Sequence, residues 1–101
     1  MNDEQQLEKD LQAKGLTAPR LTPELIDATI AKVEYHVFAD SCTTVCCLTL
    51  TNGFNTIGSS ACASPENFDA SIGEEVAYSN ARNEIWKLEG YLLKDRLFRQ
   101  G

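Results

Sequence analysis

The chain has no run of about 18 apolar residues, which argues against a membrane-spanning helix. Basic residues are scarce: nine Lys+Arg stand against fifteen Asp+Glu, for a net charge of −6. Binding to duplex nucleic acid or anionic lipid draws its affinity from cations, so neither partner is expected. Histidine occurs once, as His36. The chain contains no G-x-x-x-x-G-K-[ST] loop, no G-x-G-x-x-G turn and no G-x-S-x-G elbow. With them go the phosphate cradles and the strained nucleophile that those spacings create. Residues 1–10 are acidic where a secretory signal is basic and then apolar, so the expected location is the cytoplasm in which the chain is made.

What is present fits one small domain of 101 residues. A chain this short buries only about 60 to 70% of its unfolded surface, so a long element or an exposed apolar face calls for a partner subunit. Four cysteines fall at 42, 46, 47 and 62. Neighbouring strand residues point to opposite faces, so Cys46 and Cys47 cannot share an ion as a C-x₂-C pair does. In a reducing compartment the four read as free thiols, with no metal and no cofactor expected. A nucleophilic cysteine needs His36, and no spacing brings the two together. The carboxylate pairs Asp3/Glu4 and Glu74/Glu75 diverge on a helix and solvate a face. The expectation is a protein that is not an enzyme.

Residues 1–20 form a polar N-terminal segment holding at most a short helix, with Leu7 and Leu11 four apart and breakers at Lys14-Gly15 and Ala18-Pro19. Residues 21–101 form a single α+β domain. Thr22-Pro23-Glu24 is a helix start, with Thr22 as N-cap, Pro23 at the first position, and Leu21 and Ile26 stapled across the cap. Ile26, Ile30 and Val33 then predict an amphipathic helix from Pro23 to about Val33. Tyr35–Phe38 suits a strand, Ala39-Asp40-Ser41 a turn, and Cys42–Thr51 a second strand. Asn52-Gly53 marks a hairpin. If those two residues are the whole loop, Leu50 faces Asn55, Leu48 faces Ile57 and Cys46 faces Ser59. The opposite face, with Val45, Cys47, Thr49, Phe54, Thr56 and Cys62, is half polar. Asp69 caps a long helix from Ala70 toward Leu97, along which Ile72, Val76, Ser79, Asn83, Trp86, Gly90, Leu93 and Leu97 follow a seam spacing. That helix runs on the order of 40 Å, against roughly 33 Å for a compact domain of this size. Either Gly90 bends it or it reaches another subunit. The whole is a small antiparallel sheet, a hairpin plus a third strand, packed with an N-terminal helix and a long C-terminal helix, and oligomeric.

Charge is uneven along the chain. Residues 1–80 hold four Lys+Arg and twelve Asp+Glu, whereas residues 81–101 hold five and three. A polar and aromatic group gathers around the loop and the first half of the long helix: Asn67, Phe68, Asn80, Arg82, Asn83, Trp86 and Lys87. An aromatic ring stacks on a base, arginine pairs bidentately with phosphate, and asparagine reads a base edge or a ribose hydroxyl. The plainer alternative keeps Phe68 and Trp86 in the core and Arg82 in a surface ion pair.

A resemblance adds to this reading. Lys14-Gly15-Leu16-Thr17-Ala18-Pro19-Arg20-Leu21-Thr22-Pro23, Val33-Glu34-Tyr35-His36-Val37-Phe38, Leu50-Thr51-Asn52-Gly53-Phe54, Ser64-Pro65-Glu66-Asn67-Phe68-Asp69 and Ile85-Trp86-Lys87-Leu88-Glu89-Gly90-Tyr91-Leu92-Leu93 occur in this order. The series, over about residues 14–97, resembles the small phage proteins of the N4/Sf6 type, which include the first type of Thoeris anti-defence protein. Those proteins act as sponges for cyclic ADP-ribose isomers made by TIR-domain immune enzymes, and some for cyclic oligonucleotides of CBASS, without cleaving them. The resemblance implies an α+β subunit assembled as dimers or a hexamer in the host bacterial cytoplasm, with nucleotide sites between subunits. Carried over by motif, Asn67, Phe68 and Arg82 are the expected ligand contacts, with Trp86 and Lys87 beside them. The acidic residues 1–13 depart from the resembled pattern and leave the ligand open. The alternative is an acidic phage structural or interaction protein that inhibits a host factor and takes no small ligand.

Overall fold

The computed structural model describes residues 4, 6, 7, 9, 10 and 19–101. Residues 4, 6, 7, 9 and 10 are helical, while Leu11 and the expected breakers Lys14, Gly15 and Ala18 lie outside the described residues. The elements that follow are α1 (Pro23–Ala28), β1 (Ile30–Val37), β2 (Thr44–Leu50), β3 (Asn55–Ser60), a 3₁₀ turn (Pro65–Asn67) and α2 (Ala70–Gln100). The three strands form one antiparallel sheet in the order β1-β2-β3, and α2 lies across one of its faces. The expected α+β architecture is the one observed.

Helix α1 starts as its sequence requires. Thr22 is extended and its hydroxyl accepts from the Leu25 N–H at 3.2 Å, with Pro23 in the first turn. Leu21 and Ile26 both join the core. The end is earlier than the apolar spacing implied: the helix stops at Ala28, and Ile30 and Val33 belong to a strand. Thr29 caps it, its hydroxyl donating to the Ile26 carbonyl at 2.6 Å. Beyond Thr29 the residues Val33, Tyr35 and Val37 alternate with Lys32, Glu34 and His36, a period of two that suits β-branched and aromatic side chains.

The hairpin turns differently from the two-residue loop expected of Asn52-Gly53. Gly53 donates to the Leu50 carbonyl and Leu50 to the Phe54 carbonyl, at 2.9 and 2.8 Å, so the loop is Thr51-Asn52-Gly53. Gly53, at φ +90°, supplies the left-handed residue that closes a three-residue turn. One extra loop residue slips the register, so Leu48 pairs with Thr56, Cys47 with Ile57 and Cys46 with Gly58. Every β3 side chain thereby changes face: Thr56 and Gly58 turn toward α2, and Ile57 turns to the open side.

The core sits between α2 and β2. Cys46, Leu48 and Leu50 meet Ala77, Ala81 and Ile85, with Ile26 closing one end. This stripe is not the expected seam, for Ile72 and Val76 are exposed. Small residues took the contact face because the backbones approach closely. A Cβ on Gly58 would lie 2.1 Å from the Ala81 nitrogen and 2.4 Å from the Ala77 carbonyl oxygen. At 31 residues α2 extends about 46 Å, roughly twice the reach of seven-residue β2. The chain is accordingly elongated, 52 Å along its longest axis.

Candidate functional site

Two clefts flank the packed half of α2, one on each side of the Ala77–Ala81–Ile85 stripe. The first, of about 310 Å³, lies where β3 leaves the sheet and α2 begins. Asp69 organises this end: its carboxylate accepts from the N–H groups of Ser71 and Ile72 and from the Ser71 hydroxyl, at 2.9, 3.1 and 2.7 Å. The Ser71 hydroxyl, followed by the Ile72 N–H, holds the Asp69 carboxyl below its ordinary pKa. Just upstream, the 3₁₀ turn is closed by Asn67 and Phe68 donating to the carbonyls of Ser64 and Pro65. This turn sets Asn67 and Phe68 in the wall, facing Ser59, Ser60 and Asn80. Asn80 donates to the Ser59 carbonyl at 2.8 Å and Ser60 to the Gly73 carbonyl at 2.7 Å, which fixes helix to strand across the cleft floor.

Chemically the first cleft is neutral apart from Asp69. It offers amides, hydroxyls, the Cys42 and Cys62 thiols and the ring of Phe68, which is 36% exposed. Ile72 and Val76 form an apolar rim. Such a surface suits a base or a ribose. With the helix N-terminus already capped by Asp69, a phosphate there would meet a like charge.

The second cleft, of about 620 Å³, is charged. Arg82 lies in its wall with its side chain 12% exposed. Its Nε donates to Asp27 Oδ1 at 2.8 Å, Nη1 to Glu4 Oε2 at 2.6 Å and Nη2 to the Pro23 carbonyl at 3.3 Å. Trp86, one turn further along α2, donates its indole N–H to the same Glu4 oxygen at 3.2 Å. Burial draws the Arg82 pKa down, but the bonds from Glu4 and Asp27 outweigh it and the net direction is upward. Burial, then the Asp27 charge, pushes the Tyr78 phenol up in the same cleft.

The structure therefore divides the sequence-predicted set. Asn67 and Phe68 share the first cleft, while Arg82 and Trp86 share a pair of bonds at the second. Lys87 joins neither: it is exposed and paired with Glu84 at 2.9 Å. Asp27 was not foreseen, and Glu4, expected to solvate a helix face, bonds Arg82 and Trp86 instead. Glu4 lies 78 residues from Arg82 in sequence, beyond the reach of any local pattern.

All four cysteines are free, with Cys46 buried under α2 and Cys47 on the opposite face. Cys62 donates to the Ser64 carbonyl at 3.3 Å, and the neighbouring Cys42 thiol raises its pKa. Among the described residues no three His, Cys, Asp or Glu side chains gather as a metal site. His36 packs edge-on against Phe38, ring centres 4.7 Å apart. No described helix is long and apolar enough to cross a membrane.

The profile of a phage protein family, N4 Gp49/phage Sf6 gene 66, matches residues 21–97. No curated protein and no solved structure is significantly similar to the chain.

Proposed function

The chain belongs to the N4 Gp49/phage Sf6 gene 66 family of phage proteins, and from that premise we propose that it binds and sequesters cyclic nucleotide immune signals without cleaving them. The signals in question are cyclic ADP-ribose isomers of Thoeris, cyclic oligonucleotides of CBASS, or both, met in the host bacterial cytoplasm. One observation carries the reading: a neutral cleft with an exposed Phe68 ring, the Asn67 amide and the Ser59 and Ser60 hydroxyls stands beside an arginine cleft on the same helix. The first is chemically matched to base and ribose; the second holds, in Arg82, a guanidinium able to bond a phosphate oxygen, set among the carboxylates of Glu4, Glu24, Asp27 and Glu75. At about 310 Å³ the first cleft is near the lower end for small-molecule pockets, and its exposed rim of Ile72 and Val76 is apolar. Both features favour a ligand shared between copies of the chain, in a dimer or a hexamer.

Calorimetry against cyclic ADP-ribose isomers and cyclic di- and trinucleotides, followed by recovery of the ligand after heat release, tests the proposal. Heat with intact recovered ligand is expected. Altered ligand indicates an enzyme. Silence across the panel turns the reading to the alternative, a phage interaction protein that inhibits a host factor; exposed Tyr91, Leu92 and Phe98 on α2 are the observation favouring it.

A further inference from the structure

The contact between Glu4 and the Arg82–Trp86 pair has the form of a ligand contact made by the chain with itself. Two donors of different chemistry, a guanidinium N–H at 2.6 Å and an indole N–H at 3.2 Å, converge on one carboxylate oxygen. Arg82 does not depend on Glu4 for its position, since Asp27 and the Pro23 carbonyl hold its other two nitrogens. Arg82 thus keeps two partners besides Glu4, and Trp86 packs against the core. Arg82, Trp86, Asp27 and Pro23 all lie within the family-matched residues 21–97, and Glu4 lies outside them.

We propose that Arg82 Nη1 and Trp86 Nε1 form an oxyanion site for a phosphodiester, and that the Glu4 carboxylate occupies this site as an internal competitor. The proposal rests on the sequestration reading and adds to it the term that sets affinity. The charge around the site selects the ligand class. Asp27 stays bonded to Arg82, and Glu24 and Glu75 line the same cleft, so one guanidinium faces several carboxylates. A monoanionic phosphodiester replaces Glu4 charge for charge, whereas a dianionic phosphate monoester or free inorganic pyrophosphate brings surplus repulsion. Glu4 therefore acts as a filter: a ligand must bind better than a tethered carboxylate to displace it.

Trp86 is the sole tryptophan, so its emission reports on the site directly. The full chain and its Glu4→Gln and Glu4→Ala variants are titrated with dimethyl phosphate, the smallest phosphodiester monoanion, and with inorganic pyrophosphate, after thermal melts confirm folding. Either Glu4 variant is expected to bind dimethyl phosphate about tenfold or more tighter than the parent, the worth of one charge-assisted hydrogen bond, and to gain less for pyrophosphate. Adding Arg82→Ala to Glu4→Gln abolishes the gain. Equal titrations of parent and both Glu4 variants overturn the inference. The cyclic nucleotide panel is then repeated on Glu4→Gln. A cyclic nucleotide that binds parent and variant alike sinks the competitor while leaving sequestration standing. A gain for dimethyl phosphate with no heat from any cyclic nucleotide upholds the oxyanion site and sinks sequestration.

Discussion

Between Gly73 and Ile85, α2 buries a stripe of small residues against the sheet, whereas between Leu88 and Phe98 the same helix turns large apolar side chains to solvent. In the first half Ala77, Ala81 and Ile85 are fully buried, and the helix backbone nearly touches that of Gly58. In the second, Tyr91 and Phe98 are 74% and 77% exposed. The sheet is too short to reach them. One continuous helix thus does two jobs: its first half is specified by the chain's own sheet, and its second carries large apolar side chains that the described residues leave exposed. That surplus is what a second copy or another protein would bury.

The sharpest way to break the contrast is at its tightest point. Gly58→Val places branched carbons where Ala81 and Ala77 backbone atoms already stand, and should cost more than about 3 kcal/mol, leaving little folded protein by circular dichroism. A variant that melts with the parent would mean that α2 rides further from the sheet. Ile85→Ala comes next, removing a fully buried side chain for a loss of about 2 to 5 kcal/mol in urea denaturation. Asp69→Ala probes the start of the packed half through its cap. Because the folded-state pKa of Asp69 is depressed, its contribution is present above the ordinary aspartate pKa and is lost as pH falls through the folded value. The variant should therefore melt below the parent at neutral pH, and the gap should close in acid. Smallest for folding is the double change Tyr91→Ser with Phe98→Ser, expected within about 0.5 kcal/mol in dilute solution. Its effect belongs to assembly instead: light scattering should show the parent above monomer mass at micromolar concentration and the variant shifted toward 11.2 kDa.

The same contrast explains what could be read from the sequence. Caps and strong turn residues are local, so Thr22, Asp69 and the hairpin after Leu50 were legible, as was the excess length of α2. The register was not, because Asn-Gly serves a two-residue loop and, with Thr51 ahead of it, a three-residue loop equally well. Helix α1 was overextended because Ile30 and Val33 fit a helical stripe as well as a strand start. The contact face of α2 escaped a search for large apolar residues because it is made of Gly73, Ala77 and Ala81, whose value lies in their small size. In the candidate site, Asn67 and Phe68 were found together because one turn holds them. Arg82 was read as a ligand contact or, on the plainer reading, as an ion-paired residue; the pairing is what the fold shows, and its partners Glu4 and Asp27 come from distant segments that only folding brings near.

Cys46 and Cys47 adjoin in β2 on opposite sides of one sheet, the first sealed under α2 and the second on the open face. Burial, reinforced by the charge of Cys47, pushes the Cys46 thiol up, so little thiolate forms while α2 covers it. With Cys42 and Cys62 replaced by serine, the two remaining thiols would make an internal stopwatch. A maleimide reaches Cys47 at once and Cys46 only when α2 lifts from β2, so the ratio of the two labelling rates times that opening in every molecule against its own neighbour.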